Sequence, residues 1–375
     1  MEFIINHKYF SEAISEVSKI ISKKTTLPIL SGIKVEAMSD HLIVTGSNSD
    51  ITIEKIIPKT LNGTEIIHIQ TTGCLVVSAK HLSELVRKLP DDISWKMNDK
   101  YSVRIQSGEI ITSLNGLDAE EYPSLPKIEA NHKISLPSRK LINIIKQTVF
   151  AVAKNEGRPV LTGVNFTFNQ NELTCAATNS HRLARSKIDI KNSINGSFIV
   201  PSTSLNELIK LFSSVSTAID IYTTHNYILF KSNKTSLYSR LIEGNFPSIS
   251  SLISQKGKTI FSLNTKNLLN GVDRASLFAD EWRNNNIHIT IKDKLLIVSS
   301  KSTEAGKIEE TLEIREISGE DELSVTLDGS FLMDALKEIK EDEVSVSYSG
   351  SMRPLVIQPV GNPSQLHLIS PVRSY

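Results

Sequence analysis

The chain has little of what marks secretion, membrane insertion or catalysis. Its 375 residues include only two cysteines, Cys74 and Cys175, both in apolar strand-like runs. That argues against a disulfide framework and for buried thiols in a reducing compartment. No run approaches the about 18 apolar residues of a membrane helix. The start, Met1-Glu-Phe-Ile-Ile-Asn-His-Lys, has no basic region leading an apolar stretch. Neither a signal peptide nor a membrane span is expected, and the chain reads as a cytosolic globular protein. Asn165-Phe-Thr would then never meet the glycosylation machinery. Neither sign of charge dominates: 42 Lys and Arg face 41 Asp and Glu, a formal net charge of +1. Only the distribution of charge can therefore speak for or against a polyanionic partner.

Catalytic signatures are equally scarce. No Gly-rich phosphate cradle follows a strand, and neither a P-loop nor a dinucleotide fingerprint is present. No Cys/His pair stands at zinc spacing, and His181 has no partner a helical turn away. None of the serines sits in a Gly-x-Ser-x-Gly elbow. Asp91-Asp92 and Glu120-Glu121 are paired carboxylates, but both abut loop signals and read as solvated. No cofactor and no metal are expected, and an enzyme is disfavoured, although a site assembled from distant residues would leave no local motif.

What is present is repetition. From Lys133 to Leu183 the chain reads as a short strand, Ile134-Ser-Leu-Pro, a helix from Ser138 to Lys154, then two strands. Leu141, Ile142, Ile145, Val149 and Val152 fall on one arc of that helix. Arg139, Lys140, Asn143, Lys146, Gln147 and Lys154 fall on the other, which has no carboxylate and is interrupted only by Phe150. Gly163-Val-Asn-Phe-Thr-Phe and Glu172-Leu-Thr-Cys-Ala-Ala form the hairpin, around the turn Asn169-Gln-Asn-Glu.

The same unit opens at Phe3 and again at Thr259, spacings of about 125 to 130 residues, near the commonest domain size. The first copy has a helical face of Phe10, Ala13, Ile14, Val17, Ile20 and Ile21, and a hairpin at Gly32-Ile-Lys-Val-Glu-Ala and His41-Leu-Ile-Val-Thr-Gly. The third has a helix through Leu268, Leu269, Val272 and Ala275, and a hairpin at Asn286-Ile-His-Ile-Thr-Ile and Leu295-Leu-Ile-Val-Ser-Ser. Each unit has a second half of similar build, with helices through Leu82 and Val86, Leu205 and Leu208, and Leu332 and Leu336. The expected class is α+β: three tandem repeats, each of two strand-helix-antiparallel-strand halves, spanning 1–127, 128–253 and 254–375. Proline-bearing linkers fit near 123–131 and 247–257.

Charge is segregated. Basic, carboxylate-poor faces recur on the leading helices, whereas Glu304 to Glu322 holds eight carboxylates and Glu338, Glu341, Asp342 and Glu343 form another acidic run. A solvated surface would explain one such face. Recurrence favours a positive surface held against an acidic exterior.

Six local sequences carry a resemblance: Thr26-Leu-Pro-Ile-Leu, Arg158-Pro-Val-Leu-Thr-Gly, Ala177-Thr-Asn-Ser-His-Arg-Leu-Ala, Glu243-Gly-Asn-Phe-Pro, Met352-Arg-Pro and Pro371-Val-Arg. With the tandem copies, they make the whole chain resemble the bacterial sliding clamp family, the beta subunit of DNA polymerase III. The resemblance implies a non-catalytic processivity factor. It would be a head-to-tail homodimeric ring around duplex DNA, helices inside and sheets outside. Its partners would be DNA without regard to sequence, a second copy, DNA polymerase, the clamp loader and other proteins carrying a clamp-binding motif. Packed helices are about 10 Å thick and lie about 8 to 10 Å apart. Six in a circle leave a hole of roughly 10 Å, and twelve leave roughly 25 Å, enough for a duplex roughly 20 Å wide. Two chains are therefore needed.

By the same resemblance, Lys24, Lys80, Arg139 and Lys146 face the DNA. A groove for a short motif carrying Gln and Leu/Phe falls on Leu161, Thr178, His181, Arg182 and Leu183. Later residues complete it: Pro247, Leu252, Met352 and Pro354, then Leu368, Pro371, Val372 and Arg373. For its Leu and Val residues the alternative is plain core, and for His181-Arg182 a satisfied turn pair. Leu277 and Phe278 would pack on the first repeat of a partner near Ile110 and Leu114, with internal core as the alternative.

Some positions depart from the family pattern. Ser202 and Thr203 stand where a basic residue is frequent, Ser251 where Arg is common, Asp328 where Asn is common, and Ser370 replaces an apolar or Pro-flanking residue. They point to weaker attraction to DNA, a carboxylate near the groove, and an accessory clamp with altered partner choice. Two other classes compete: a repeat scaffold that binds proteins but never DNA, and an enzyme with a dispersed site. Ser251→Arg should change the affinity for docking peptides, and equal affinities in a titration against wild type would count against the accessory role.

Overall fold

The computed structural model describes residues 1–22, 25, 27–98, 101–126, 133–154, 157–191, 195–249, 257–279, 285–320 and 323–372. Lys24, Ser251, Leu252, Arg373 and parts of both expected linkers lie outside the described residues. Strand-to-helix openings recur along the chain. Glu2–Ile5 leads α1 (His7–Ser18) and Gly73–Ser78 leads α2 (Ala79–Val86). Lys133–Pro137 leads α3 (Ser138–Val149) and Gly196–Pro201 leads α4 (Ser202–Phe212). Thr259–Asn264 leads α5 (Thr265–Ser276) and Leu323–Asp328 leads α6 (Gly329–Lys337). The three expected hairpins form antiparallel pairs: Gly32–Ala37 with His41–Ser47, Gly163–Asn169 with Glu172–Thr178, and Asn286–Lys292 with Leu295–Ser302. Their alternation of apolar and polar residues is what a half-buried strand needs. No described helix is long and apolar enough to cross a membrane.

Two compact units result. The first comprises residues 1–139 and 206–241 and holds a thirteen-stranded antiparallel sheet. The second comprises residues 140–205 and 242–375 and holds a nine-stranded and a four-stranded sheet. Within each unit, one joint between repeats is made by the same kind of strand pairing. In the first, Ile51–Pro58 pairs with Thr235–Arg240, from Ile51↔Ser239 to Lys55↔Thr235. In the second, Arg182–Asp189 pairs with Gln365–Ile369, from Arg182↔Ile369 to Ser186↔Gln365. In both joints, the strand following the hairpin of one repeat meets the last strand of the next.

Helix faces follow the expected arcs, with exceptions that packing explains. In α1, Phe10, Ala13, Ile14 and Val17 are buried, whereas Ile21 lies beyond the helix end and is half-buried. The α1 carboxylates Glu16 and Glu12 reach Lys55, at 2.7 and 3.5 Å, leaving Lys8 and Lys19 exposed. In α3, Ile144 is fully buried beside Leu141, Ile142 and Ile145, and Val149 is only half-buried. The helix ends at Val149 rather than Lys154. The Ala153 amide bonds to the Leu161 carbonyl (2.8 Å), and the Phe150 carbonyl is taken by the Arg182 guanidinium. Helical hydrogen bonding cannot continue through that pair of contacts. Cys175 is fully buried and burial pushes its thiol well above the ordinary value. Cys74 departs from the expectation of burial: near the start of its strand it is only half-buried, its thiol pushed up to about 11 by the burial it has.

The first unit contains an aromatic trio. Trp95 stacks on Phe3 (centroids 5.6 Å, planes 11° apart) and meets Phe10 edge-on at 6.0 Å. Its indole Nε1 is buried with no hydrogen-bond partner among the described residues. Trp95→Ala should therefore cost about 3–5 kcal/mol through the cavity left. Trp95→Phe should cost clearly less, because it also removes an unsatisfied donor; urea titrations of the two variants check the order.

Candidate functional site

The second unit builds a site around one turn. Strand Glu172–Thr178 leads through Asn179, Ser180 and His181 into strand Arg182–Asp189. The Asn179 Oδ1 accepts from the His181 and Arg182 amides, both at 3.0 Å. The Thr178 hydroxyl donates to the Arg182 carbonyl (2.6 Å) and accepts from the Ser180 amide (3.2 Å). Ser180 adopts a φ of 76°, and the turn is held by side chains that mimic backbone partners. The His181 carbonyl accepts from the Ser370 amide at 2.8 Å, tying the turn to the end of strand Gln365–Ile369. The His181 side chain is exposed.

Arg182 is not: it is 7% exposed. Its Nη1 donates to Asp334 Oδ2 at 2.6 Å and its Nη2 to the Phe150 carbonyl. The guanidinium lies 4.4 Å from the Phe331 ring centroid and 5.3 Å from that of Phe150. A weakly hydrated planar cation suits such a slot between rings. Phe150, which interrupts the polar arc of α3, thus has a partner, and its ring also meets His367 at 5.7 Å.

A cavity of about 730 Å³ opens beside this turn, with Lys154, Arg158, Leu161, His181, Arg182, Phe331 and Asp334 in its wall. Three expected groove residues, Leu161, His181 and Arg182, therefore share one cavity. Leu183 and Leu368 face each other across the strand pair and pack with Leu366, flanked by Ile249 and Val356. Thr178, Pro354, Pro371 and Val372 are half-buried, and Pro247 and Met352 are exposed. Leu252 and Arg373 fall outside the described residues. The sequence reading assigned neither Asp334 nor Phe331 to the site. Their spacing of three on one helix, which puts them on one side, was the only available signal. Asp328 is the N-cap of α6: its Oδ1 accepts from the Ser330 amide at 2.9 Å and from the Ser330 hydroxyl. The carboxylate expected beside the groove is thus engaged with the helix end, a role Asn fills equally well.

Comparison with known proteins now decides the family. Profiles of the DNA polymerase III beta subunit match in chain order: its N-terminal domain over residues 1–126, its central domain over 135–248 and its C-terminal domain over 250–373. The beta sliding clamp of Bacillus subtilis (strain 168) is 42% identical over 379 residues, covering all of both chains. That of Staphylococcus aureus (strain N315) is 39% identical over 377 residues, again covering both completely. The crystal structure of the DNA polymerase sliding clamp from Bacillus subtilis superposes with a TM-score of 0.97 over all of both chains, at 42% identity.

The chain belongs to the DNA polymerase III beta subunit family.

Its fold is accordingly three clamp domains of mixed α and β structure. For this beta-subunit relative, the remaining expected residues are placed as follows. Lys80 in the first turn of α2, and Arg139 and Lys146 on α3, are all exposed. Lys146 lies near Glu338, a carboxylate raised by burial and held down in part by that lysine. The basic face of α3 is thus not free of acid in space, although it is in sequence. The acidic runs are likewise partly paired, Glu310 with Arg274 and Glu343 with Arg315 at 3.0 Å. Ile110 is exposed and Leu114 half-buried. Leu277 is 75% exposed, so the alternative of internal core does not describe it; Phe278 is half-buried. Among the described residues, no cluster of three His, Cys, Asp or Glu side chains is placed to hold a metal.

In the same unit runs a partly buried relay. The Ser186 hydroxyl donates to Gln147 (2.6 Å), and Gln147 donates to Gln365 (3.1 Å). The Gln365 amide donates in turn to the Glu338 carbonyl (3.1 Å) and contacts His367 Nε2 at 2.9 Å. This direction makes His367 Nε2 the acceptor. Burial pulls His367 down to about 3, so it is neutral in the folded chain. The unfolded chain takes up a proton near pH 6.5 that the folded chain refuses. Stability from this residue is complete above pH 6.5 and is lost as pH falls toward 3. Urea unfolding between pH 6.5 and 5 should show a loss of roughly 1–2 kcal/mol from His367. His367→Gln should flatten that dependence.

Proposed function

We propose that two copies of the chain close head to tail into a ring around duplex DNA. This ring slides without reading sequence and tethers DNA polymerase and other proteins through a short peptide carrying Gln and Leu/Phe. The observation that carries the reading is full-length similarity to sliding clamps, at 42% identity and a TM-score of 0.97. In this reading the chain is a non-catalytic processivity factor working in the cytoplasm, with domains at 1–127, 128–253 and 254–375. Lys80, Arg139 and Lys146 attract phosphates, whose charges recur about every 1.7 Å of duplex, and topology rather than affinity holds the ring on. Leu161, His181, Arg182, Leu183 and Leu368 belong to the docking groove, with Thr178, Pro247, Met352, Pro354, Pro371 and Val372 around it.

The strand joints support the dimer. Two of the three strands that follow a repeat's hairpin are joined to the next repeat within the chain, Ile51–Pro58 and Arg182–Asp189. The third, Gly306–Glu313, is the last strand of its sheet among the described residues. The matching last strand of the first repeat is Ile110–Leu117, which pairs with Gly73–Ser78 only at Gly116 and Leu117. Open edges of this kind are templates for another chain. Repeating the joint in trans would pair Gly306–Glu313 of one copy with Ile110–Leu117 of the other, and twofold symmetry makes two such junctions.

The test uses plasmid DNA. Chains loaded onto nicked circles by an ATP-driven loader should co-elute with the plasmid and leave it within the time of a restriction digest. Equal retention before and after linearisation would argue against a clamp. Leu277→Asp should sediment as a monomer; a dimer of unchanged strength would remove Leu277 from the junction.

A further inference from the structure

Arg182 stands in the wall of the cavity that we read as the docking groove, yet little of it is free for a ligand. Both terminal nitrogens are committed, Nη1 to Asp334 and Nη2 to the Phe150 carbonyl, and rings cover the guanidinium at 4.4 and 5.3 Å. Its Nε is buried and has no hydrogen-bond partner among the described residues. The backbone of the same residue closes the turn, through its amide to Asn179 and its carbonyl to Thr178. A side chain fixed this firmly transmits its position to the turn, and the turn carries the exposed His181.

We propose that Asp334 and Phe331 are positioning residues of the docking groove. They hold Arg182 in the wall, so that Arg182 orders the turn bearing His181 instead of contacting the incoming peptide. The inference rests on the docking reading but goes beyond it, because it removes one cation from the peptide's reach and assigns a role to two residues of α6. Three parts of the chain meet in this clamp: the end of α3 through Phe150, the turn through Arg182, and α6 through Phe331 and Asp334. Asp334 is the member most open to substitution, since its side chain is 41% exposed and leaves room for an extra methylene.

Asp334→Asn and Asp334→Glu separate the possibilities in the full-length chain. The measurements are amide hydrogen exchange at Arg182, anisotropy of a short fluorescent peptide carrying Gln, Leu and Phe, and retention on circular plasmid. Asp334→Asn should speed exchange at the Arg182 amide and weaken the peptide about tenfold, with plasmid retention unchanged. Asp334→Glu should recover most of the affinity. Wild-type affinity in Asp334→Asn would overturn the positioning role, as would weakened binding without any change in Arg182 exchange. Loss of plasmid retention alongside peptide binding would mark general damage and likewise overturn it. If the wild-type chain bound no peptide at all while staying on circular DNA, the docking reading itself would fall, and the positioning role with it.

Discussion

Sheet edges govern this structure. A strand with unpaired backbone groups on one side must be matched, covered or charged, and the chain meets that requirement by using each repeat to complete its neighbour. Thr235–Arg240 closes the edge left by Ile51–Pro58, and Gln365–Ile369 closes the edge left by Arg182–Asp189. These pairings, rather than the boundaries between repeats, divide the chain into its compact units. The halves of the middle repeat consequently belong to different units: the strands at 133–137 and 218–240 to one, the hairpin at 163–178 to the other. The same logic leaves Gly306–Glu313 and most of Ile110–Leu117 with an open side among the described residues, and these are the strands that the proposed ring would join.

The candidate site is a by-product of one of these joints. Pairing Leu183 with Leu368 places apolar side chains of two repeats side by side, and the bond from Ser370 to His181 continues the contact past the strand ends. Arg182 then spans from the turn to α6. A buried cation of this kind is stable only with its charge matched and its donors engaged. Asp334, the Phe150 carbonyl and two aromatic rings meet that need at the terminal nitrogens, while Nε has no partner among the described residues. The polar relay through Gln147 and Gln365 supplies a donor to Nε2 of the neighbouring histidine, whose neutral form the burial enforces.

Much of this was legible in the sequence, for physical reasons. Alternation located the hairpins, and helical arcs located all six described helices, because each buries one apolar side. The motifs that carry the family resemblance also include Leu161, His181 and Arg182, which share a cavity. What was not legible depended on distant partners. The end of α3 is set by Leu161 and Arg182, not by any residue within the helix. Asp334 reads as an ordinary exposed carboxylate until Arg182 is beside it. Asp328 reads as a charge added to a groove until Ser330 shows it capping a helix. The joints themselves have no periodic signature, since nothing along Ile51–Pro58 names residues 235–239 as its partner.

The long reach of these joints bears on how the polypeptide matures on the ribosome. Both joints close late and over nearly equal spans: 51–55 must wait for 235–239 and 182–186 for 365–369, so each unit carries a bare, hydrogen-bond-hungry ribbon through much of its synthesis. Non-local pairing of this sort is slow and leaves intermediates open to mispairing. A nascent chain halted between those two points would hold a finished first unit and an unfinished second. Its adhesive face would then be the very strand that later shapes the candidate site.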